Sequence, residues 1–219
     1  MTARRYDFWL LDLDGTVVNI ERSYIHETIG EVGDRLGGDF SDHEAELLWY
    51  GTGNARETVL AEAGVSPDRF WETFHAVEEP ESRGAAMYVY DDAEAFLSGV
   101  KAPVGLVTHC QEYLTLPILD HLGVHDRFET VVCCDEETGW KPDPAPLQVA
   151  MREMGVGNNG HAGAMAGDLP ADVRAARNAG LDGIHVSRPN RNWEGDRVVD
   201  GRRVAALTDL DGHGSRLRE

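Results

Sequence analysis

The stretch Phe8-Trp9-Leu10-Leu11-Asp12-Leu13-Asp14-Gly15-Thr16 decides the fold of this chain. Its apolar start is typical of a strand that is buried in a parallel sheet. Side chains two residues apart in an extended segment point the same way, so we expect Asp12 and Asp14 to face the same space beyond the strand. Open α/β sheets bind their ligands at that carboxyl end. Gly15 allows the chain to turn sharply there.

The two carboxylates need a cation or a shared proton, because adjacent negative charges repel each other. One division of labour satisfies both groups: Asp12 binds a divalent metal and attacks a phosphorus atom, while Asp14 holds or accepts a proton. The alternative is a simple turn that closes the strand and leaves both carboxylates in solvent. Residues further along the chain favour the catalytic interpretation.

The composition is strongly acidic. The 219 residues include 39 acidic and 20 basic side chains, a formal net charge of −19, and only Lys101 and Lys141 are lysines. Molar salt screens such self-repulsion, because the Debye length falls to about 3 Å. We therefore expect a halophilic protein from a salt-rich cytosol, with an ordinary acidic protein as the alternative. Nucleic acid is not an expected partner, since no basic patch is present to meet its phosphates.

Nothing in the sequence indicates a membrane protein or a secreted one. No apolar run reaches the length that spans a bilayer. The N-terminus leads directly into the first predicted strand, so we expect no cleaved signal and a cytoplasmic location. Cys110, Cys133 and Cys134 form no C-x-x-C pair, and the adjacent two predict a buried strand rather than a metal site.

Residues 18–83 are predicted to form a small all-helical domain. Apolar residues recur at helical spacing, Gly37-Gly38 ends the first helix, and Ser41 begins a capping box for the second. Residues 80–84 are predicted to be a linker. The four predicted helices are Ile20 to Leu36, Ser41 to Trp49, Ala55 to Ala63, and Ser66 towards Glu78.

The rest of the chain alternates strands with helices, which predicts right-handed crossovers and a sheet covered on both faces. We therefore predict an α/β fold in which residues 1–17 and 84–219 form a Rossmann-like doubly wound parallel sheet. A hairpin extension is predicted at about residues 190–210, around Asp200-Gly201. The later predicted strands are 104–108, 130–134, 162–168 and 183–186.

Four further polar residues lie at or just beyond predicted strand ends. Thr108 suits a phosphate oxygen, although it could simply cap the next helix. Lys141 lies in a loop stiffened by two prolines, in a chain that has almost no lysine; a chance surface lysine is the alternative. Asp168 is placed to share a metal ion with Asp12. Asp172 could support Lys141 or the metal's waters. Alternatively, it could simply be an acidic residue that the helix dipole favours in the first turn.

The chain resembles the haloacid dehalogenase superfamily in its motifs and in their order. These motifs are D-x-D-G-T, a strand ending in Thr, K-P-D-P and G-D-x-x-x-D. The resemblance covers about residues 6–188, and the helical insert resembles the cap of the first subclass, near phosphoglycolate-phosphatase-like members. It implies a Rossmann-like core, a mobile cap and phosphoryl transfer that depends on Mg²⁺ and passes through an aspartyl-phosphate.

The resemblance also implies a role for each matching residue. Asp12 would be the nucleophile and Asp14 the general acid and base. The side chains of Asp12 and Asp168 and the main-chain carbonyl of Asp14 would hold the metal. Thr108 and Lys141 would bind the transferring phosphoryl group.

Two more residues are candidates for contact with substrate. Arg56 ends a glycine-rich loop of the helical insert and could bind an anion, or lie on a helix surface. His109 follows Thr108 where related phosphatases often carry Asn, and could contact substrate or start the next helix. We expect a phosphatase acting on a small phosphorylated metabolite, such as phosphoglycolate or a sugar phosphate, and a monomer or homodimer. The alternatives are a phosphomutase of the β-phosphoglucomutase kind and a non-catalytic relative that binds a phosphorylated ligand.

Overall fold

The fold is built around a sheet whose strands all run in the same direction. The computed structural model describes residues 6–51, 54–157, 160–188 and 201–210. Its six-stranded sheet has the order β5-β4-β1-β6-β7-β8, and every pair in it is parallel. The predicted fold class is therefore confirmed. The strands are β1 (Phe8–Leu11), β4 (Val104–Thr108), β5 (Thr130–Cys133), β6 (Gly163–Gly167), β7 (Asp182–Val186) and β8 (Arg202–Val204).

Strand β1 lies between β4 and β6, and its register brings the three carboxyl ends together. Leu11 is paired with Leu106 on one side and with Ala166 on the other. Residues that end or follow these strands therefore meet at one edge of the sheet. Thr108 is the last residue of β4, while Asp12 and Asp168 directly follow β1 and β6.

Helices cover both faces of the sheet, and the apolar side chains of β1 alternate between these two faces. Phe8 and Leu10 pack on the face that holds Leu147, while Trp9 and Leu11 pack on the face that holds Phe96. Both faces of β1 are buried, which explains its continuous apolar run. The helices of this part are α6 (Asp91–Gly99), α7 (Glu112–His121), α8 (Ala145–Glu153) and α9 (Pro170–Asn178).

The chain between β1 and β4 is mainly helical, and four predicted helices are present close to their expected bounds. The first ends at Gly37, which has a φ of 73°, and Ser41 forms the predicted capping box with Glu44. Their apolar sides share a core that includes Ile25, Leu48 and Phe70. The four helices are α1 (Arg22–Leu36), α2 (Asp42–Tyr50), α3 (Ala55–Glu62) and α4 (Pro67–Val77).

The predicted linker over residues 80–84 was wrong, because these residues begin helix α5 (Pro80–Ala86). Pro80 lies at the first helical position, where its missing N–H has no helical partner to lose. The helix leads directly into β3 (Met87–Val89), which pairs antiparallel with β2 (Val18–Ile20). These two short strands were not predicted, and they join the helical segment to the large sheet.

At the C-terminal end, β8 extends the sheet in parallel with β7. Residues 190–200 of the predicted hairpin lie outside the described residues, so the hairpin as a whole stays a prediction. The three cysteines are free, and Cys133 ends strand β5. Among the described residues, no helix has the length and apolarity needed to cross a membrane.

Candidate active site

Lys141 and Asp12 form the centre of the site. The ammonium of Lys141 donates to Asp12 Oδ1 at 2.7 Å and to the carbonyl of Val107 at 2.9 Å. It also forms an ion pair with Asp172 Oδ1 at 2.7 Å. Lys141 is only 5% exposed, so these three groups take the place of water around its charge. The loop that carries Lys141 thus reaches across the ends of β1 and β4.

The charges of this pair strongly affect each other. Burial raises the pKa of Asp12 well above its usual value; Lys141 lowers it, while Asp172 and Asp168 raise it further. Burial by itself would lower the pKa of Lys141, but the carboxylates of Asp12 and Asp172 raise it above the ordinary lysine value. Lys141 is therefore a permanent cation, and Asp12 lies in an environment with more negative charge than Lys141 alone can balance.

Three carboxylates face each other at this sheet edge. One oxygen from each of Asp12, Asp168 and Asp172 lies within 4.8 Å of the other two. Asp172 is fixed from two sides, because its Oδ2 accepts the N–H of Leu169 at 2.9 Å while its Oδ1 contacts Lys141. Three buried carboxylates with one lysine leave an excess of oxygen donors and negative charge, which suits a hard divalent cation such as Mg²⁺.

Two buried threonines lie beside the carboxylates of the site. Thr16 donates its hydroxyl to Asp12 Oδ2 at 3.3 Å. Thr108 is buried, and its Oγ1 accepts the N–H of Cys110 at 3.0 Å. Thr108 thus stabilises the turn that leads into helix α7, the alternative role considered from sequence, and it also lines the cavity described below.

His109 lies beside the lysine loop. Its Nε2 accepts the backbone N–H of Lys141 at 3.0 Å, so in the neutral ring the proton is on Nδ1. Burial, followed by the charge of Lys141, lowers the pKa of His109 to about 4. Its ring meets Trp140 edge-on, with centroids 5.5 Å apart. His109 is therefore a neutral hydrogen-bonding group above about pH 5 that also positions the backbone of Lys141.

Asp14 has a partner that the sequence analysis missed. Arg83, from helix α5, places Nη2 3.1 Å from Asp14 Oδ1 and forms a second ion pair, through Nη1, with Glu78. Arg83 is 6% exposed and Glu78 is 4% exposed. The only local signal was a basic residue in a presumed linker, and nothing in its spacing connects it with Asp14.

A cavity of about 410 Å³ extends from Asp12 towards the helical segment. Its lining combines the polar groups of the sheet edge with aromatic side chains from the helices. Among the described residues that line it are Asp12, Asp14, Trp49, Arg56, Trp71, Phe74, Arg83, Thr108, His109, Lys141 and Asp168.

Arg56 lies in the wall of this cavity. Its Nε donates to the carbonyl of Leu48 at 2.8 Å, its Nη2 donates to the carbonyl of Trp49 at 2.6 Å, and its guanidinium lies 5.3 Å from the centre of the Trp71 ring. Burial lowers its pKa to about 10. None of the described carboxylates forms an ion pair with it.

The comparison with a known family agrees with the motifs at the sheet edge. The sequence model of the haloacid dehalogenase-like hydrolases matches residues 9–186, which includes the proposed catalytic and metal-binding residues. The chain belongs to this family. The predictions of the superfamily and of a hydrolase are therefore confirmed.

Relatives that align with this chain over most of their own length are named as phosphatases. The phosphoglycolate phosphatase of Nitrosococcus oceani is 29% identical over 209 residues, which cover 87% of this chain and 91% of that protein. The phosphoglycolate phosphatase of Agrobacterium fabrum is 30% identical over 216 residues, or 91% of this chain and 89% of the relative. Among solved structures, a putative phosphoglycolate phosphatase from Lactobacillus plantarum aligns with a TM-score of 0.72 at 20% identity, covering 94% of this chain and 98% of that chain. That last likeness supports the fold alone.

Proposed function

We propose that this haloacid dehalogenase-like hydrolase is a phosphatase that removes the phosphoryl group from a small phosphorylated metabolite, such as phosphoglycolate or a sugar phosphate. The observation that carries the proposal is the buried Asp12 carboxylate, which lies 2.7 Å from the ammonium of Lys141 at the floor of a cavity. A carboxylate that is to attack an anionic phosphate needs fixed positive charge beside it. The names of the curated relatives support the same reaction class.

The metal in this proposal is Mg²⁺. The side chains of Asp12 and Asp168 and the main-chain carbonyl of Asp14 would hold it, and the donor set of buried carboxylates supports this choice. A bound Mg²⁺ would neutralise the negative charge that Asp12 and the phosphoryl group bring together. Asp172 would stay on Lys141, where its contact keeps the ammonium pointed at Asp12.

In the first step, an oxygen of Asp12 attacks phosphorus while the ester P–O bond breaks, and Asp14 gives its proton to the departing oxygen. Lys141 and Thr108 bind the oxygens of the transferring group. In the second step, water attacks the phosphorus of the aspartyl-phosphate and Asp14 takes a proton from it. The bond between Asp12 and phosphorus breaks, orthophosphate is released, and the Asp12 carboxylate and the protonated Asp14 are restored.

The helical residues 18–83 would act as a cap that covers the leaving group. Arg56 is the proposed contact for an anionic part of that group, because its charge lines the cavity without a described carboxylate partner. The Nδ1–H of His109, which also lines the cavity, would donate to substrate. Closing such a segment over the site would exclude water from the first step.

The test is the release of orthophosphate from a panel of phosphate esters, with Mg²⁺ or with a chelator, in molar KCl. Asp12→Asn removes the proposed nucleophile, and Asp34→Asn, on the exposed side of helix α1, is the matched control. We expect release that needs Mg²⁺, falls by at least about 10³-fold in Asp12→Asn, and is unchanged in Asp34→Asn. Folded protein that releases no phosphate from any ester, or an Asp12→Asn variant with full activity, would refute the proposal.

A further inference from the structure

In the wall of the cavity, Arg83 contacts two carboxylates that lie far apart in the sequence, those of Asp14 and Glu78. Glu78 follows helix α4, and its side chain is 1% exposed; Asp14 follows strand β1, and its side chain is 31% exposed. The guanidinium contacts both, and it also lies 5.2 Å from the centre of the Trp49 ring. Since Glu78 is fully buried, its ion pair fixes one arm of the guanidinium and leaves the other directed at Asp14.

Asp14, by contrast, has few contacts of its own. Within the part of the chain that the structure describes, Arg83 is the sole side chain that bonds to the Asp14 carboxylate, and it does so through Oδ1. Among the described side chains, none bonds to the other oxygen, Oδ2. Without Arg83, nothing described would keep this partly exposed side chain in one rotamer.

We propose that Arg83 is a positioning residue that orients Asp14, so that Asp14 Oδ2 protonates the departing oxygen of the substrate, and that Glu78 in turn holds Arg83. This inference rests on the proposed phosphatase function. The planar guanidinium can bond to two carboxylates in fixed directions, which a lysine ammonium on a flexible stem cannot reproduce. Proton transfer depends on such placement, because the donor must lie within hydrogen-bond reach of the departing oxygen.

The dependence of rate on the leaving group separates this role from a general structural one. An alkyl phosphate such as glycerol phosphate expels an alkoxide that needs a proton as the P–O bond breaks. The p-nitrophenolate of p-nitrophenyl phosphate departs without one. The comparison uses kcat/KM, which reports the steps up to departure of the leaving group, because the second step also needs Asp14 and is the same for both esters. For Arg83→Lys, we expect kcat/KM to fall by about 10- to 100-fold with the alkyl ester, a part of the usual contribution of a general acid, and to stay within about threefold with the aryl ester.

Two further variants guard against misfolding and misinterpretation. Glu78→Gln with Arg83→Gln removes both buried charges together, so that only the partly exposed Asp14 carboxylate loses an ion pair, and it should show the same selective loss in kcat/KM. Arg188→Lys alters another buried arginine, which forms a 2.6 Å ion pair with Asp92 and donates to the carbonyl of Thr16. Arg188 does not contact Asp14 and is outside the described lining of the cavity, so its change should affect kcat/KM for both esters by the same factor.

A double-mutant cycle gives the decisive comparison. If Arg83 acts through Asp14, then Arg83→Lys should cause no further loss with the alkyl ester once Asp14→Asn is present. Equal losses in kcat/KM on both esters, or losses in kcat/KM that multiply in the double variant, would overturn this inference and leave the phosphatase proposal standing. A wild-type protein that hydrolyses neither these esters nor the wider panel would overturn both.

Discussion

Replacing Lys141 by methionine tests the electrostatic design of the site without any assay of activity. Methionine has a similar length but no charge, so the change removes the ammonium while filling most of its space. Asp12 and Asp172 would each lose an ion pair of 2.7 Å, and the carbonyl of Val107 would lose its donor. The two carboxylates would then face each other, and Asp168, across a buried gap.

The expected cost follows from the burial of these groups. Removing one member of a buried ion pair costs about 3–5 kcal/mol, because the remaining charge is left without compensation. Lys141 serves two carboxylates, so we expect the upper part of this range in the free energy of unfolding. Adding Asp172→Asn to Lys141→Met removes one of the unpaired charges and should recover about 1–3 kcal/mol.

Urea unfolding in the presence of a chelator, at constant molar KCl and pH 7.5, measures these differences. Lys101→Met is the matched control, since Lys101 is the other lysine of the chain and is exposed; it should change stability by less than about 0.5 kcal/mol. Mg²⁺ in place of the chelator should narrow the gap between Lys141→Met and wild type, because the carboxylates that lose the ammonium should bind the cation more tightly, and an ion that binds only the folded state stabilises it. A Lys141→Met variant as stable as Lys101→Met, or no gain from Asp172→Asn, would refute the reasoning.

Three other properties can be measured directly. The pKa of His109 falls from 6.5 to about 4 on folding, so the folded protein favours the neutral ring. Wild type should therefore lose stability relative to His109→Asn as the pH falls from 6.5 to 4, and a difference in urea midpoint that stays constant over this range would contradict this. A Cβ at Gly167 would lie 2.3 Å from Asp172 Cγ, so Gly167→Ala should displace Asp172 from Lys141 and lower the free energy of unfolding by about 1–3 kcal/mol. Gly30 has open space around it, so Gly30→Ala should not destabilise the protein, and equal effects of the two substitutions would argue against this packing. The net charge of −19 predicts that the free energy of unfolding rises as the KCl concentration increases from about 0.1 M to about 1 M, because the Debye length falls from about 10 Å to about 3 Å. A free energy of unfolding that does not change with KCl would count against a halophilic protein.

The sheet edge could be predicted because parallel strands bring their carboxyl ends together. Once the strands were recognised, Asp12, Thr108 and Asp168 had to meet at one edge whatever the details of the helices. Lys141 needed an additional signal, its rarity in an arginine-rich chain. The contact of Asp172 with Lys141 was one of two open alternatives, and only coordinates could decide between them, because a first-turn acid is favoured by the helix itself.

Helix α5 could not be predicted from local pattern. Its seven residues begin with proline and include Gly84, which together resemble a linker. A helix this short has little stability of its own. The contacts of Arg83 with Glu78 and Asp14 supply tertiary support, and one of these partners lies 69 residues away in the chain. No periodicity encodes such a contact, so the positioning partner of Asp14 was missed together with the helix.

The two arginines of the cavity show why charge compensation, rather than position in a loop, separates their roles. The guanidinium of Arg83 forms ion pairs with two carboxylates, so its charge is already balanced within the protein. Arg56 donates only to neutral carbonyls, which fix its direction without balancing its charge. An unbalanced guanidinium in a cavity wall is costly unless something anionic comes to it. Under the proposed function, Lys141 would serve the phosphoryl end, that anion would belong to the leaving group, and the distance from Asp12 to Arg56 would set which esters fit.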